Sequence, residues 1–188
     1  MTIWLLHQTL TTEEEAHIQE RSHLALPFEG LPDLSLITSP VECKHLLAAL
    51  HPQDPPESIN RRFDALWPRY AGLHGEDIIA VPLHARKAVA LAEVTGPYHY
   101  EVGKDGADRH LIPVKWHPGP VPLYKFRKHK DIFARRERMF EVTNAEARIA
   151  IRDRLPHRYN RFVKWKWILL FFFALGMLHR LQSLLKMH

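Results

Sequence analysis

Three residues early in the chain carry the pattern of a metal-dependent nuclease. Asp33, Glu42 and Lys44 match the letters of a PD-(D/E)xK site, in which two carboxylates hold Mg²⁺ and a lysine lies near the attacking water. Glu42, however, stands three residues after Ser39, with Pro40 between them, which is typical of a capped helix start. We therefore expect no enzyme activity and keep a Mg²⁺-dependent nuclease as the second alternative function.

The cysteine and histidine content argues against a bound metal or cofactor. Cys43 is the single cysteine, which excludes an internal disulfide and a cysteine-based zinc site. The 14 histidines are scattered and form no HExxH pair. The chain also contains no phosphate-binding P-loop and no nucleophile elbow. The sequence thus predicts no metal ion and no cofactor.

Charge is distributed unevenly along the 188 residues. Residues 1–103 carry 7 Lys/Arg against 14 Asp/Glu, whereas residues 104–166 carry 17 against 7. The formal net charge of +5 hides this asymmetry. A basic block of this size favours an anionic partner, either nucleic acid or a membrane surface.

Basic side chains that could neutralise phosphates fall on a predicted helix, in a predicted hairpin turn and in a dense run within residues 125–138. Because this run lies inside the predicted domain and is interleaved with Tyr124, Phe126 and Phe133, it favours nucleic acid. The basic residues of 152–166 favour a membrane-proximal role. The candidate phosphate-binding residues are Arg61, Arg62, Arg86, Lys87, Lys125, Arg127, Lys128, Lys130, Arg135, Arg136 and Arg138.

The first half of the chain predicts one strand and two helices. Residues 2–8 are expected to form a short strand, and residues 11–21 a loop or short helix. The capped start at Ser39 opens a helix that runs to Leu50. A second helix follows over residues 57–70, and Pro68 is expected to end or kink it near Trp67.

The second half changes to β-structure. Its β-branched and aromatic runs are separated by glycines or by a basic turn, which predicts short strands. These runs are residues 77–83, 87–94, 98–102 and 110–116. Residues 139–142 are expected to form a last strand, and Thr143 to cap a further helix. The predicted fold class is α+β, a small curled β-sheet or β-barrel with flanking helices, plus a C-terminal hydrophobic helix.

An uncharged apolar run, residues 167–178, follows the basic block. Its helical length of about 18 Å is short of a hydrocarbon core of about 30 Å, but extension to Leu185 gives about 28 Å. Arg180 would then lie near the end of the span, where its side chain can snorkel, and Trp165 and Trp167 would lie at the interface. We therefore predict a transmembrane helix, residues 167–185, with a buried or interfacial helix as the alternative.

Three segments of the β-rich half share their order and spacing with one known family. They are Gly75-Glu-Asp77-Ile-Ile-Ala-Val-Pro82, Ala90-Leu-Ala-Glu93-Val-Thr-Gly96-Pro-Tyr98-His-Tyr100 and Arg109-His-Leu-Ile-Pro-Val114-Lys115-Trp116. Together they resemble the EVE-like domains of the PUA/EVE superfamily, which occur at the N-termini of Mrr-like and McrB-like modification-dependent restriction proteins. The resemblance covers residues 1–145 and does not extend to the tail.

The resemblance implies a small β-barrel that binds nucleic acid and flips a base into an aromatic pocket. Phe28 stands where the family usually has a Gly-Trp pair, so it can stack but offers no N–H donor. Trp67 and Trp116 are expected in the core rather than in the base pocket, because each lies in a regular apolar pattern. The candidate base-pocket residues are Phe28, Asp33, Trp67, Tyr98, Tyr100 and Trp116.

These expectations combine into one predicted organisation. An EVE-like domain (residues 1–145) is followed by a basic helix and juxtamembrane linker (146–166) and a membrane span (167–185). Basic residues before the span place the domain in the cytoplasm, on a bacterial inner membrane. DNA is favoured over RNA as the partner, a homo-oligomer or an effector partner is left open, and the resemblance implies a setting in phage defence. The first alternative is a membrane-bound interaction protein or a small-nucleotide-binding protein.

Overall fold

A curled, half-barrel β-sheet with five flanking helices forms the described part of the chain. The computed structural model describes residues 1–28, 30–102, 108–135 and 137–155. The strands are β1 (Ile3–Leu6), β2 (His23–Ala25), β3 (Ile78–Leu83), β4 (Ala88–Val94), β5 (His99–Val102), β6 (Asp108–Trp116), β7 (Val121–Pro122) and β8 (Met139–Glu141). The helices are α1 (Thr12–His17), α2 (Pro40–Leu50), α3 (Pro56–Ala71), α4 (Lys130–Phe133) and α5 (Ala145–Arg152), with 3₁₀ segments at Ile18–Glu20 and Leu123–His129. The predicted α+β class with a curled sheet is confirmed.

The sheet has the strand order β2-β6-β4-β3-β1-β8, while β5 pairs with β6 and β7 pairs with β4. β1 and β3 are parallel, and the other described pairings are antiparallel. β6 joins two parts of the sheet, because its first half pairs with β5 and β2 and its end pairs with β4. All of β3 and most of β4 are buried, as expected for apolar strands in the middle of a covered sheet.

Two buried carboxylates fix the turns at the two ends of β3. Glu15 on α1 is 3% exposed, and its two oxygens accept hydrogen bonds from the backbone N–H groups of Ala85 (3.2 Å) and Arg86 (3.1 Å) in the β3–β4 turn. Asp77, from the first segment of the family resemblance, is also 3% exposed; it accepts hydrogen bonds from the N–H of His74 in the turn before β3 (3.1 Å) and from the N–H of Thr2 before β1. Both acids therefore serve turn geometry, since buried carboxylates need donors of this kind.

α2 begins with the capping box that the sequence predicts. Ser39 Oγ accepts a hydrogen bond from the N–H of Glu42 (3.3 Å), and the Glu42 carboxylate accepts one from the N–H of Ser39 (3.1 Å). One turn apart, Cys43 and Leu47 bury their side chains in the core shared with the sheet. The cap and the apolar spacing together explain where α2 starts and which face it buries.

Pro68 was expected to end or kink α3 near Trp67; an end there is wrong, because the helix continues to Ala71. The proline removes one backbone hydrogen bond, but Trp67 and Tyr70 on the same turn pack against the core and keep the last turn helical. The helix ends at Gly72, where a Cβ would overlap the Pro68 carbonyl oxygen and lie 3.0 Å from Trp4 Cζ2. Glycine is required by this close approach.

The chain divides into two compact units, Met1–Arg152 and Asp153–His188. The first includes α5, whose cap is Asn144 rather than the predicted Thr143: Asn144 Oδ1 accepts a hydrogen bond from a first-turn N–H at 2.9 Å. Asparagine caps helices as well as threonine does, so the sequence favours neither residue strongly. The predicted membrane helix, residues 167–185, lies outside the described residues. Within the part of the chain that the structure describes, no helix is long and apolar enough to cross a bilayer.

Candidate nucleic-acid interface

A cleft of about 480 Å³ is lined by the loop after β2, by α2 and α3, and by the start of β8. Its lining combines apolar side chains with cationic ones. The apolar residues include Phe28, Leu31, Leu47, Leu66 and Met139, and the basic residues are His51, Arg62, Arg69 and Arg138. A cleft of this composition suits a flat, partly apolar group that carries negative charge.

Helical spacing brings two arginines of α3 to the cleft. Arg62 and Arg69 are two turns apart and therefore share one face of the helix. Arg62 Nε donates to Asp54 Oδ2 (3.0 Å). Arg69 donates to the carbonyl of Met139, and its guanidinium lies 3.7 Å from the Glu137 carboxylate. These contacts hold both guanidinium groups in place at the cleft.

Phe28 connects the cleft to a cluster of aromatic rings. Its side chain is 4% exposed and meets the His110 ring edge-on, with centroids 5.7 Å apart. Tyr98 and Tyr100 both contact the His110 ring, with centroids 5.9 and 5.4 Å from its own. Three of the six candidate base-pocket residues thus converge on His110.

His110 ties the sheet to the loop that lines the cleft. Its Nε2 lies 3.0 Å from the carbonyl of Leu31, which can only accept, so Nε2 carries a proton. Nδ1 then accepts from the Tyr98 hydroxyl at 2.8 Å. The N–H of Leu34 donates to the same hydroxyl (3.2 Å), and the Tyr70 hydroxyl donates to the Leu34 carbonyl (2.6 Å). Three hydrogen bonds therefore fix the loop between Leu31 and Leu34, and the bond between Tyr98 and His110 links two of their partners.

Asp33 lies in this loop, where its side chain closes a local turn and does not line the cleft. Its Oδ1 accepts a hydrogen bond from the N–H of Ser35 (2.8 Å), which closes a local turn. Burial raises the pKa of Tyr98 to about 12, and the charge of Asp33 adds to the rise. The Tyr98 hydroxyl is therefore protonated at neutral pH and available as a donor. Asp33 is not among the residues that line the cleft.

The remaining aromatic candidates lie elsewhere. Trp67 is half-buried in a row of α3 aromatic rings. Trp116 packs against the core, and its Nε1 donates to the carbonyl of Arg21 (2.7 Å). Six strand residues, or about 20 Å, separate Trp116 from His110. Arg61 is exposed on α3 and, like both tryptophans, does not line the cleft.

Most of the predicted phosphate-binding residues meet at one end of the sheet. Because β1 and β3 are parallel and β8 is antiparallel to β1, the β3–β4 turn lies at the same end as the start of β8. Segment 123–138 begins there, where the N–H of Leu123 donates to the carbonyl of Lys87 (2.8 Å), and ends there, where the N–H of His7 donates to the carbonyl of Arg138 (2.7 Å). We call the exposed basic residues of this turn and segment the basic end: Arg86, Lys87, Lys125, Arg127, Lys128, Lys130, Arg135 and Arg138.

The aromatic residues of the basic segment are mostly core. Phe126 and Phe133 are buried and pack together with centroids 5.2 Å apart, and neither lines the cleft. Tyr124 is 71% exposed. Arg135 lies 4.9 Å over the ring of Phe140, and Arg136 lies outside the described residues. The segment therefore presents charge and one aromatic ring rather than a row of rings.

The residues that match the nuclease pattern have local structural roles. The Glu42 carboxylate accepts hydrogen bonds from the N–H groups of Thr38 (2.8 Å) and Ser39 (3.1 Å), and these bonds lower its pKa. Lys44 Nζ lies 4.7 Å from the ring centroid of Phe63. Among the described residues, no three His, Cys, Asp or Glu side chains lie together as a metal site would require.

Two residues of the site, Arg69 and His110, were not among the predicted ones. His110 continues the inward alternation of Ile112 and Val114, all three being buried, so the two-residue period of β6 places the imidazole inside. Arg69 follows Arg62 by two helical turns, which places both on one face. The spacing carries both signals, but only the path of the chain brings Arg69 to the cleft and His110 to the loop that lines it.

No protein-family model matches the chain, and no curated protein matches it. Among solved structures, the chain is similar to the X-ray crystal structure of protein Atu2648 from Agrobacterium tumefaciens. The identity is 14%, the alignment covers 80% of this chain and 93% of that chain, and the TM-score is 0.33. Similarity at this level establishes neither a shared fold nor a shared function.

Proposed function

We propose that this chain is a nucleic-acid-binding module in which the basic end holds backbone phosphates and the cleft receives one unpaired or extruded base. The observation that carries the proposal is the position of Arg138, which belongs to the basic end and also lines the cleft. A strand bound by its phosphates along the basic end would therefore pass the cleft mouth. DNA is the favoured partner.

The charge of the basic end supports phosphate binding. Segment 123–138 contains seven Lys/Arg against two Asp/Glu, and its described lysines and arginines are exposed. The turn that carries Arg86 and Lys87 adds two further cations at the same end of the sheet. Phosphate contacts of this kind give affinity without sequence preference, and the affinity falls steeply with salt.

The size and lining of the cleft support base binding. Its volume of about 480 Å³ lies within the range of about 300–1,000 Å³ that is usual for small-ligand sites. Phe28, Leu47 and Leu66 offer apolar contact to a planar ring, and the guanidinium of Arg62 offers a flat cationic surface. Contacts of this kind contribute about 1–3 kcal/mol per base, which offsets the few kcal/mol that base extrusion costs.

The resemblance to EVE-like domains supports the same function, because that family binds nucleic acid and includes base-flipping readers. The membrane anchor in the proposal comes from the sequence of the tail, and the setting in phage defence comes from the resemblance. The tail, residues 167–185, anchors the chain in a bacterial inner membrane with the domain in the cytoplasm. The module senses foreign or modified nucleic acid in phage defence, and an oligomer or an effector partner carries the response.

Filling the cleft tests the base-binding part. Ala65 is exposed on α3 and lines the cleft, so Ala65→Trp occupies the space without removing a packed side chain. The wild-type full chain should bind a duplex with one central mismatch more tightly than the paired duplex, since a mismatched base is extruded at lower cost. Ala65→Trp should remove this preference by weakening the binding of the mismatched duplex about tenfold. It should leave the salt dependence of binding unchanged.

The matched control is Ala49→Trp, at an exposed position of α2 that does not line the cleft. It should keep the mismatch preference. Equal mismatch preference in wild type and Ala65→Trp would overturn base binding in the cleft. Tight binding of a free mononucleotide that an excess of duplex fails to displace would instead support the small-nucleotide alternative.

A further inference from the structure

Tyr124 is the one exposed Phe, Tyr or Trp side chain among the described residues, at 71% of its surface. It belongs to the 3₁₀ segment Leu123–His129, in which Leu123, Phe126 and His129 are buried or half-buried and the residues between them are exposed. Every third residue therefore faces the core, as three residues per turn require, and the period holds across a kink at Phe126. Burial of Phe126 fixes the segment and leaves the ring of Tyr124 in solvent.

Cations from two segments lie near this ring. The N–H of Leu123, the residue before Tyr124, donates to the carbonyl of Lys87 (2.8 Å), which holds the basic β3–β4 turn against the segment. Arg127 and Lys128 follow Tyr124 by about one 3₁₀ turn and are exposed like it. A strand that covered the ring would thus meet cations of the turn and cations of the segment.

The cations of the segment are available to a ligand. Among the described residues, no carboxylate lies within ion-pair distance of Lys125, Arg127 or Lys128, whereas Arg21 and Arg62 are each paired at 3.0 Å. Exposed cations without an acidic partner keep their charge for phosphate oxygens, and phosphate contacts carry no sequence preference. The neighbouring ring adds a flat face on which a base can stack.

An unpaired nucleic-acid strand fits this surface better than the other anionic partner, a membrane. Helices that lie on a membrane surface insert several large apolar side chains, but in residues 123–135 Tyr124 is the only large apolar side chain that is exposed. Proteins that bind single strands combine basic residues with aromatic rings on which bases stack. Paired bases inside a duplex are already stacked on their neighbours, so an unpaired base gains most from the ring.

We infer that Tyr124 is a stacking platform for an unpaired base, so that the basic end binds single-stranded nucleic acid by its bases as well as its phosphates. The inference rests on the proposed function. Lys125, Arg127 and Lys128 hold the phosphates next to the stacked base, and the platform takes any base because each has a flat face. This base is additional to the one in the cleft, whose lining does not include Tyr124.

Binding of short DNA strands to the full chain, measured by fluorescence anisotropy, tests the inference. The probes are an oligothymidylate and an abasic strand of the same length, which carries the same phosphates without bases. Tyr124→Ala should weaken binding of the oligothymidylate about tenfold, the loss expected for one base stacked on one ring, and leave binding of the abasic strand unchanged. Tyr124→Phe keeps the ring and should bind both strands as the wild type does. The same comparison in the Ala65→Trp background, where the cleft is filled, removes the contribution of the cleft.

The matched control for charge is Lys128→Ala. It should weaken binding of both strands by the same factor and make the salt slope shallower by about 0.7, the value for one phosphate contact on a single strand. Equal affinity of the wild type and Tyr124→Ala for the oligothymidylate would overturn the stacking role. Equal weakening of both strands by Tyr124→Ala would overturn it as well, because the abasic strand has no base to stack.

The mismatch preference and its removal by Ala65→Trp do not depend on Tyr124, so they stand if the stacking role fails. A wild type that binds none of the DNA probes would overturn the proposed function itself. A preference for phosphatidylserine over phosphatidylcholine vesicles that Tyr124→Ala removes, with oligothymidylate binding unchanged, would assign the ring to a membrane contact and overturn the inference.

Discussion

The Tyr98 hydroxyl lies 2.8 Å from Nδ1 of His110, and this contact links the sheet to the loop that lines the cleft. His110 in turn donates a hydrogen bond to the carbonyl of Leu31, and the Tyr98 hydroxyl accepts one from the N–H of Leu34. Leu31 is itself a lining residue of the cleft. The two side chains therefore position the cleft wall, and their effect on ligand binding should exceed their effect on the sheet.

Removing the Tyr98 hydroxyl should loosen this wall. Tyr98→Phe keeps the ring contacts with His110 and Tyr70 but leaves His110 Nδ1 and the N–H of Leu34 without their partner. We expect a loss of about 1–3 kcal/mol in the free energy of unfolding. The loss should be measured by urea unfolding of the full chain, together with a loss of mismatch preference in duplex binding.

The control for this change is Tyr124→Phe, because Tyr124 is 71% exposed. It should change the free energy of unfolding by less than about 0.5 kcal/mol. If Tyr98→Phe is as stable as the wild type, the hydrogen bonds assigned to its hydroxyl do not hold the loop.

Acid should destabilise the fold before its carboxylates titrate. Burial lowers the pKa of His117, and burial together with His84 lowers the pKa of His7, both from an ordinary value of 6.5. Below that value the unfolded chain binds protons that the native chain does not, so stability falls as the pH drops through this window. The urea midpoint should therefore be lower at about pH 5.5 than at about pH 7.5.

His117→Gln should reduce that difference, since the variant removes one of the two histidines concerned. The matched control is His45→Gln, at an exposed position of α2, which should leave the difference as in the wild type. A midpoint that rises on acidification would contradict the lowered pKa values of His7 and His117.

Charge placed in the predicted membrane span should prevent insertion. Phe172 lies near the middle of the uncharged run, where an arginine costs about 2.5–3.5 kcal/mol on an insertion scale. Phe172→Arg should shift the protein from the carbonate-resistant membrane fraction towards the soluble fraction. Gln182→Arg, near the end of the span, should insert normally because its side chain can reach the headgroups. Equal distribution of the two variants between the membrane and soluble fractions would contradict the predicted membrane span.

Local signals in the sequence predict much of the fold. β3 and β4 follow from apolar, β-branched runs bounded by turn residues, and α2 follows from its capping box. Pro68 shows where local reasoning fails, because packing of the last turn of α3 outweighs the lost backbone hydrogen bond. β2, only three residues long, has too little periodicity to be distinguished from a loop.

The candidate site depends on contacts that no local pattern contains. Phe28 and Arg138 are far apart in the chain, and the sheet order and the path of segment 123–138 bring them to one cleft. Phe126 and Phe133 show the converse, because the alternation of basic and aromatic residues favours nucleic-acid binding without showing that both rings are buried. Side-chain direction in 3₁₀ segments is set by packing, which sequence spacing alone does not determine.

The salt dependence of DNA binding by the full chain tests the central claim most directly. The logarithm of the binding constant should fall linearly with the logarithm of salt concentration between about 50 and about 200 mM, and replacing both Lys125 and Lys128 by Ala should make the slope shallower by about two. Lys115→Ala, which removes an exposed cation at the opposite end of the sheet, should leave the slope close to that of the wild type. Binding whose slope is the same in the wild type and the double variant, or the absence of DNA binding at about 50 mM salt, would contradict the account.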